Sequence, residues 1–242
     1  MLIYRVKAYK GGRSLERVLR KEEKYLITIL DARLYMDTLE KFMLQDTHNG
    51  VRGYKIRSLY FDSMNDRDFV EKEQGLCVRK KIRLRLYNPK STYALLEMKQ
   101  KQGENQLKRS LKIGREDAVL LTKGIYTPLL KYKQPFAQEC FSIMNMDCYR
   151  PKTIVEYNRK AFIARENRIR ITFDSVIRAT ESCYDLFSEN LCLYPVMDEA
   201  LVVMEIKYNG FLLNYIKDMV REVNRSNLSV SKYCLGRNIS FK

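Results

Sequence analysis

Charged and apolar residues alternate from Arg79 to Leu86. Arg79, Lys81, Arg83 and Arg85 share one parity, while Ile82, Leu84 and Leu86 share the other. Successive side chains of a strand point to opposite faces, so this run predicts a strand with one basic and one apolar face. Asn88-Pro89-Lys90-Ser91 has turn composition, and the next run puts Leu95, Glu97 and Lys99 on one face. Gly103-Glu104-Asn105 then turns the chain into a third run carrying Lys108 and Ser110. Like charges at i, i+2 repel, so four cations in succession, unrelieved by an acid, point to a surface that meets a polyanion.

The alternation recurs along the chain. Residues 20–30, 55–62, 153–162, 167–174 and 200–208 read as strands, and 191–196 as a weaker one broken by Pro195. Helical spacing places Leu34, Leu39, Phe42 and Met43 on one stripe over residues 32–44, with Asp31 as the expected cap. Further helices are predicted over 65–74, closed by Gly75, over 115–123, from Pro135 through Met144, and over 211–224. Residues 1–19 are basic, contain Gly11-Gly12, and read as a loosely attached extension to a single domain over 20–242. About eight mostly antiparallel strands with four or five helices make an α+β fold.

Strand after strand then offers charges on one parity and Ile, Val, Leu, Phe or Tyr on the other. The charged set is Glu22 and Lys24; Arg83 and Arg85; Glu97, Lys99 and Lys108; Arg159; Arg168 and Arg170 with Asp174; Glu205 and Lys207; and Lys232. If the apolar faces lie under helices, the charged faces look at one another or at water. An eight-stranded antiparallel β-barrel with a charged interior, helices packed outside, resolves this. Met204-Glu205-Ile206-Lys207-Tyr208 is apolar around its charges, which places Glu205 and Lys207 in an enclosed setting.

Composition agrees in sign. Among 242 residues, 45 Lys+Arg stand against 29 Asp+Glu, a net charge of +16 that points to phosphates, nucleic acid or an anionic membrane. Six cysteines without a C-x-x-C pair read as reduced, mostly buried thiols of a cytoplasmic protein. The one histidine, His48, sits in a polar loop, which argues against a histidine base or a His-rich metal site. No apolar run approaches a membrane span of about 20 residues, and no recognition-helix or RNP pattern suggests nucleic acid.

Triphosphate suits such a surface. Side chains at i and i+2 are ~6.5–7 Å apart along a strand, so Arg83 and Arg85 can straddle neighbouring phosphates. Carboxylates such as Glu205 can hold Mg²⁺ or Mn²⁺ against phosphate oxygens, with Glu22 and Glu97 as supporting candidates. There is no G-x-x-x-x-G-K-[ST] run, so phosphate is held by side chains and not by a backbone cradle.

These residues occur in an order that resembles the catalytic domain of the vacuolar transporter chaperone (VTC) polyphosphate polymerases, within the triphosphate tunnel metalloenzyme, CYTH-like superfamily. The matching stretches are Arg20-x-Glu22-x-Lys24-Tyr25, Ser58-Leu59-Tyr60-Phe61-Asp62, Ile82-Arg83-Leu84-Arg85-Leu86-Tyr87 and Leu96-Glu97-Met98-Lys99. They continue with Tyr157-Asn158-Arg159-x-Ala161-Phe162, Arg168-Ile169-Arg170-Ile171-Thr172-Phe173-Asp174, Met204-Glu205-Ile206-Lys207 and Ser231-Lys232-Tyr233-x-x-Gly236. No single motif is specific; eight in order are.

The resemblance implies an eight-stranded tunnel that binds nucleoside triphosphate and polyphosphate with a divalent metal, often Mn²⁺. It implies that Lys24, Arg83, Arg85, Lys99, Lys108, Arg159, Arg170 and Lys232 line the tunnel and that Glu205 is the metal ligand. The expected activity is transfer of the γ-phosphoryl of ATP to a growing polyphosphate chain. The family's second lysine, three residues before Lys232, is here Ser229, and its phosphate-sensing domain and membrane helices have no counterpart. A tunnel-fold triphosphatase or adenylate cyclase is the alternative within the superfamily. Those open with E-x-E-x-K, where this chain has Arg20. A non-catalytic polyanion-binding module is the alternative outside enzymes.

Overall fold

In a computed structural model, residues 20–103, 105–221 and 230–239 are described. The extension at 1–19, Ser229 and the end of the helix expected to reach 224 lie outside these residues. The strands are β1 (Arg20–Thr28), β2 (Leu44–Gln45), β3 (Tyr54–Asp62), β4 (Val78–Leu86), β5 (Tyr93–Gln102), β6 (Asn105–Gly114), β7 (Arg150–Ile163), β8 (Arg170–Thr180), β9 (Tyr194–Pro195) and β10 (Leu201–Asn209). The helices are α1 (Ile29–Leu39), α2 (Arg67–Glu73), α3 (Arg115–Thr122), α4 (Pro135–Met146), α5 (Asn214–Arg221) and α6 (Lys232–Arg237). Thr28 caps α1, accepting from the Asp31 N–H at 3.1 Å, so the helix starts before the cap expected at Asp31.

Eight long strands form one antiparallel sheet in the order β1-β10-β8-β7-β3-β4-β5-β6, with the two-residue strands β2 and β9 at its side. Among the described residues no ladder joins β6 to β1. The sheet is therefore not the closed barrel that the alternation suggested. It is nevertheless curled. Lying flat, β1 and β5 would be ~29 Å apart at the spacing of neighbouring strands. Instead Lys99 of β5 donates to Glu22 of β1 at 2.9 Å. A bulge between β7 and β8, with Val176 at φ 51°, adds local bend.

Curling gives each strand an outer and an inner face. On the outside, α1 and α5 cover one half, packing Leu39 and Ile216 with Phe162, Ile171, Met204 and Ile206. The other half lies under α3 and α4, whose Leu121, Cys140 and Met144 meet Leu59, Ile82, Leu84, Leu96 and Met98. Burial of these apolar faces drives the element arrangement. Inside, apolar residues are interleaved with the charged rows: Ile56, Tyr60, Val155, Tyr157 and Val203 cluster around Tyr233 of α6. Tyr233 stacks on Tyr60 at 5.2 Å and donates to Asp62 at 2.5 Å. Segment 231–238 is thus a short helix that enters the concave side, where sequence alone had placed Lys232 last in a series of strand residues.

Of the six cysteines, all free, only Cys140 and Cys234 are buried; Cys77, Cys148 and Cys192 are exposed, contrary to expectation. No helix among the described residues is long and apolar enough to cross a membrane.

Gly53 sets the start of β3. Its φ is +79°, and an added Cβ would lie 2.2 Å from the Arg159 carbonyl oxygen of β7. Gly53→Ala is expected to cost more than about 2 kcal/mol of stability in urea unfolding, because both backbone strain and a backbone clash oppose it. An unchanged midpoint would mean that the two chains do not approach here.

Candidate functional site

Register decides which side chains share the inner face. Across the sheet, one row runs from Lys24 through Glu205 to Thr172, and another from Glu22 through Lys207 to Arg170. Asp174 lies beside Arg159, Ser58 beside Arg85, and Tyr60 beside Arg83. The rows continue from Arg83 to Glu97 and from Lys81 through Lys99 to Lys108. Residues from all eight of the long strands thus converge, and Lys232 joins them from α6. One expected residue stays apart: Arg168 is exposed in the turn before β8 (Glu166–Arg168).

The carboxylates on this face are each shared by several cations. Asp174, fully buried, takes Arg159 through two bonds of 2.6 and 2.7 Å and Lys232 at 2.6 Å. Glu97 accepts Arg83 at 2.8 Å and Lys108 at 2.5 Å, with Arg85 3.5 Å away. Glu22 pairs with Lys99 at 2.9 Å and Lys24 at 3.2 Å. Glu205 lies 3.8 Å from Lys24 and is bonded by Lys207. Arg170 donates to Asp46 at 2.8 Å and to the Tyr54 hydroxyl at 3.0 Å. Asp46 is itself braced by the His48 ring at 2.8 Å, which gives the lone histidine a positioning part.

Burial opposes charge at every one of these carboxylates, yet the cations win. Burial and Glu205 push Glu22 up, while Lys24, Lys99 and Lys207 bring it down to about 2. Burial likewise opposes Arg83, Arg85 and Lys108 at Glu97, which also falls to about 2. A carboxylate depressed on folding contributes stability that is complete above its ordinary value near 4.5 and is lost as pH falls through the folded value. Thermal unfolding temperature is therefore expected to drop steadily between pH 4.5 and 2. A protein equally stable at pH 2.5 and pH 6 would contradict these pairings.

Even so, cations remain in excess: Glu22, Asp46, Glu97, Asp174 and Glu205 face Lys24, Lys81, Arg83, Arg85, Lys99, Lys108, Arg159, Arg170, Lys207 and Lys232. Unmet donors accompany the excess charge. Ser58 Oγ, Arg85 Nε, Arg170 Nε and Thr172 Oγ1 are buried without a hydrogen-bond partner, and all four belong to this face. Buried polar groups are nearly always satisfied, so these atoms mark places on this face where an acceptor-rich anion would supply the missing partners.

The carboxylates also bear on a metal. Among the described residues no three His, Cys, Asp or Glu cluster as a ready-made cation site. Glu205 and Glu22, on adjacent strands and both against Lys24, could serve Mg²⁺ or Mn²⁺ in the manner of sites that use one or two carboxylates with phosphate oxygens. Glu97 fits less well, since both its oxygens are taken by Arg83, Arg85 and Lys108.

Fold and face together define a protein whose antiparallel sheet curls around a cation-rich, side-chain-lined concave surface. The VTC domain model matches residues 19–241, and the chain belongs to that family. A search of curated proteins finds no match. Among solved structures, a Bacillus halodurans protein described as a candidate adenylate cyclase aligns with TM-score 0.51 and 11% identity, covering 88% of this chain and 95% of its own. A conserved hypothetical protein of Pyrococcus furiosus aligns at TM-score 0.44 and 10% identity, over 89% of this chain and 99% of its own. At these identities the likeness concerns the fold alone.

Proposed function

We propose that this chain is a polyphosphate polymerase that works in a basic tunnel formed by the curled sheet, taking the γ-phosphoryl of ATP onto a growing phosphate chain. The observation that carries this reading is the inner face itself, where arginines and lysines exceed carboxylates and buried donors lack acceptors. Membership of the VTC family supports it.

In the reaction, a terminal oxygen of the chain attacks Pγ of ATP, a new P–O bond forms, and the bond from Pγ to the bridging oxygen of ADP breaks. That terminal oxygen is ionised near neutral pH, so no general base is needed, and none is offered by histidine here. The protein's tasks are to align two anions that repel each other and to stabilise charge on the transferring group. Arg83, Arg85, Arg159 and Arg170 are assigned to the triphosphate and transferring phosphoryl oxygens. Lys24, Lys99, Lys108, Lys207 and Lys232 complete the cationic lining; the exposed Arg168 is left out. Mn²⁺ or Mg²⁺, held by Glu205 with Glu22, would add charge neutralisation across phosphate oxygens. Glu205→Gln is expected to weaken Mn²⁺ binding in the presence of tripolyphosphate at least tenfold; unchanged affinity would place the metal elsewhere.

Incubation of the protein with ATP and Mn²⁺, followed by gel electrophoresis, tests the reaction. Long phosphate chains and ADP are the expected products. Free phosphate alone would indicate a triphosphatase, pyrophosphate with cyclic AMP a cyclase, and no turnover a binding module.

A further inference from the structure

Lys81 belongs to the inner face but differs from every other cation there. The strand registers set it beside Lys99, which lies beside Lys108. Lys99 is matched by Glu22 and Lys108 by Glu97. Among the described residues, no carboxylate stands within ion-pair reach of Lys81. Its ammonium donates to the Ser231 hydroxyl at 2.6 Å and lies 5.7 Å from the centre of the Tyr233 ring. Tyr233, which donates to Asp62 of β3, and Glu73 of α2, which bonds Cys234, also lie on this side, and the strongest influences on Lys81 come from four groups: Lys24 from β1, Lys99 from β5, Lys72 from α2 and Cys234 from α6. Three of those four are cations, and burial keeps the Cys234 thiol above its ordinary range.

A cation in such a setting is destabilising unless a ligand supplies the missing charge. Burial first, then the three lysines, lower the Lys81 ammonium to about 7 against the pull of Cys234. The Ser231 oxygen accepts from Lys81 and, at 3.3 Å, from the Cys234 N–H, and its hydroxyl proton, whose acceptor within the protein is the weak Cys234 sulfur, can turn to an anion. An ammonium and a hydroxyl donor therefore sit together where α6 and the Tyr233 cluster meet the inner face.

We propose that Lys81 and Ser231 form a further anion subsite, where α6 meets the concave face, that takes one phosphate group of a bound chain. This rests on the reading of the face as phosphate-binding. Ser231 and Tyr233 of the α6 segment stand against Lys81, so a chain that runs along the inner face of β4 meets α6 here. The anion also returns Lys81 to its charged form, so binding draws up a proton wherever the free protein holds Lys81 neutral. That window opens above about pH 7 and closes at the higher pKa of the complex. Within it, this part of the affinity falls as pH rises.

The test is calorimetric titration with metal-free inorganic tripolyphosphate at pH 7.5, in two buffers of different ionisation enthalpy, repeated at pH 6.5. Thermal unfolding reports that each variant is folded. Lys81→Met is expected to bind about 10- to 100-fold more weakly at pH 6.5, the effect of losing one charge-assisted bond, and to take up less proton at pH 7.5. Lys81→Arg, which stays charged, should keep the affinity and show the same loss of proton uptake. Wild-type affinity and wild-type uptake in Lys81→Met would overturn the subsite while leaving the face intact. A wild-type protein that does not bind tripolyphosphate at all would overturn both.

Discussion

Arg85→Ala is expected to fold like the wild type and to keep only one part in ~10²–10³ of the phosphoryl-transfer rate, the loss seen when one preorganised donor is removed from a charge-stabilising site. Arg85 lies on the inner face of β4, is 8% exposed, and has a buried Nε without a hydrogen-bond partner. It lies across from Ser58, whose hydroxyl is also unmet. Arg85 is thus preorganised toward an acceptor that the protein itself does not provide. Folding should survive because Glu97 keeps Arg83 and Lys108, and the loss of one cation relieves crowding. The rate of label transfer from the γ-position of ATP, compared in folded wild type and variant, decides it. Wild-type turnover in Arg85→Ala would remove β4 from the reaction.

Asp174→Asn is expected to be the more damaging change to the fold. Asp174 is completely buried and is the direct ion-pair partner of both Arg159 and Lys232, with Glu205 as a more distant counter-charge. Breaking a buried ion pair by deleting one partner costs about 3–5 kcal/mol, because the remaining charge stays buried and unpaired. An asparagine also turns an N–H₂ toward one of the two cations. Urea unfolding, which does not screen charge, should show this loss. Inorganic tripolyphosphate should recover part of it, since the anion replaces the missing counter-charge; that recovery separates a charge effect from a packing effect. A variant within 1 kcal/mol of wild type (an order-of-magnitude threshold for a minor effect) would mean that Arg159 and Lys232 reach other partners.

The parity of β4 was legible because Arg83 and Arg85 alternate with Ile82 and Leu84, and outward burial of the apolar set follows directly. The parities of β1, β5, β7 and β10 were legible in the same way. Closure was not. Whether β6 meets β1 depends on curvature accumulated over the whole sheet, including the bulge near Val176, and no local pattern encodes it. Asp174 was visible as a charge, but its role as the common partner of Arg159 and Lys232 depends on bringing α6 against β8. Lys81 was on the right parity, yet only the arrival of Ser231 distinguishes it from its neighbours. Arg57 gives the opposite lesson. It is buried on the other parity, held by Glu156 at 2.7 Å and by the Leu186 carbonyl at 3.0 Å, and its environment is structural. A buried arginine marks this face only when its strand parity agrees.

Holding phosphate with side chains instead of a backbone cradle has a consequence for selectivity. Among the described residues the face presents charge and donors without a group arranged to read a base, so under the proposed reaction ATP and GTP should be used at similar rates. Charge density makes the interaction strongly dependent on salt.

A crystal structure of the protein with inorganic tripolyphosphate tests the central claim most directly. The expected result places the anion on the concave side, with phosphate oxygens within hydrogen-bond distance of Arg83, Arg85, Arg159 and Arg170. An anion bound only at the outer surface, with the pairs of Arg83 to Glu97 and Arg159 to Asp174 untouched and the concave face free of ligand, would contradict it.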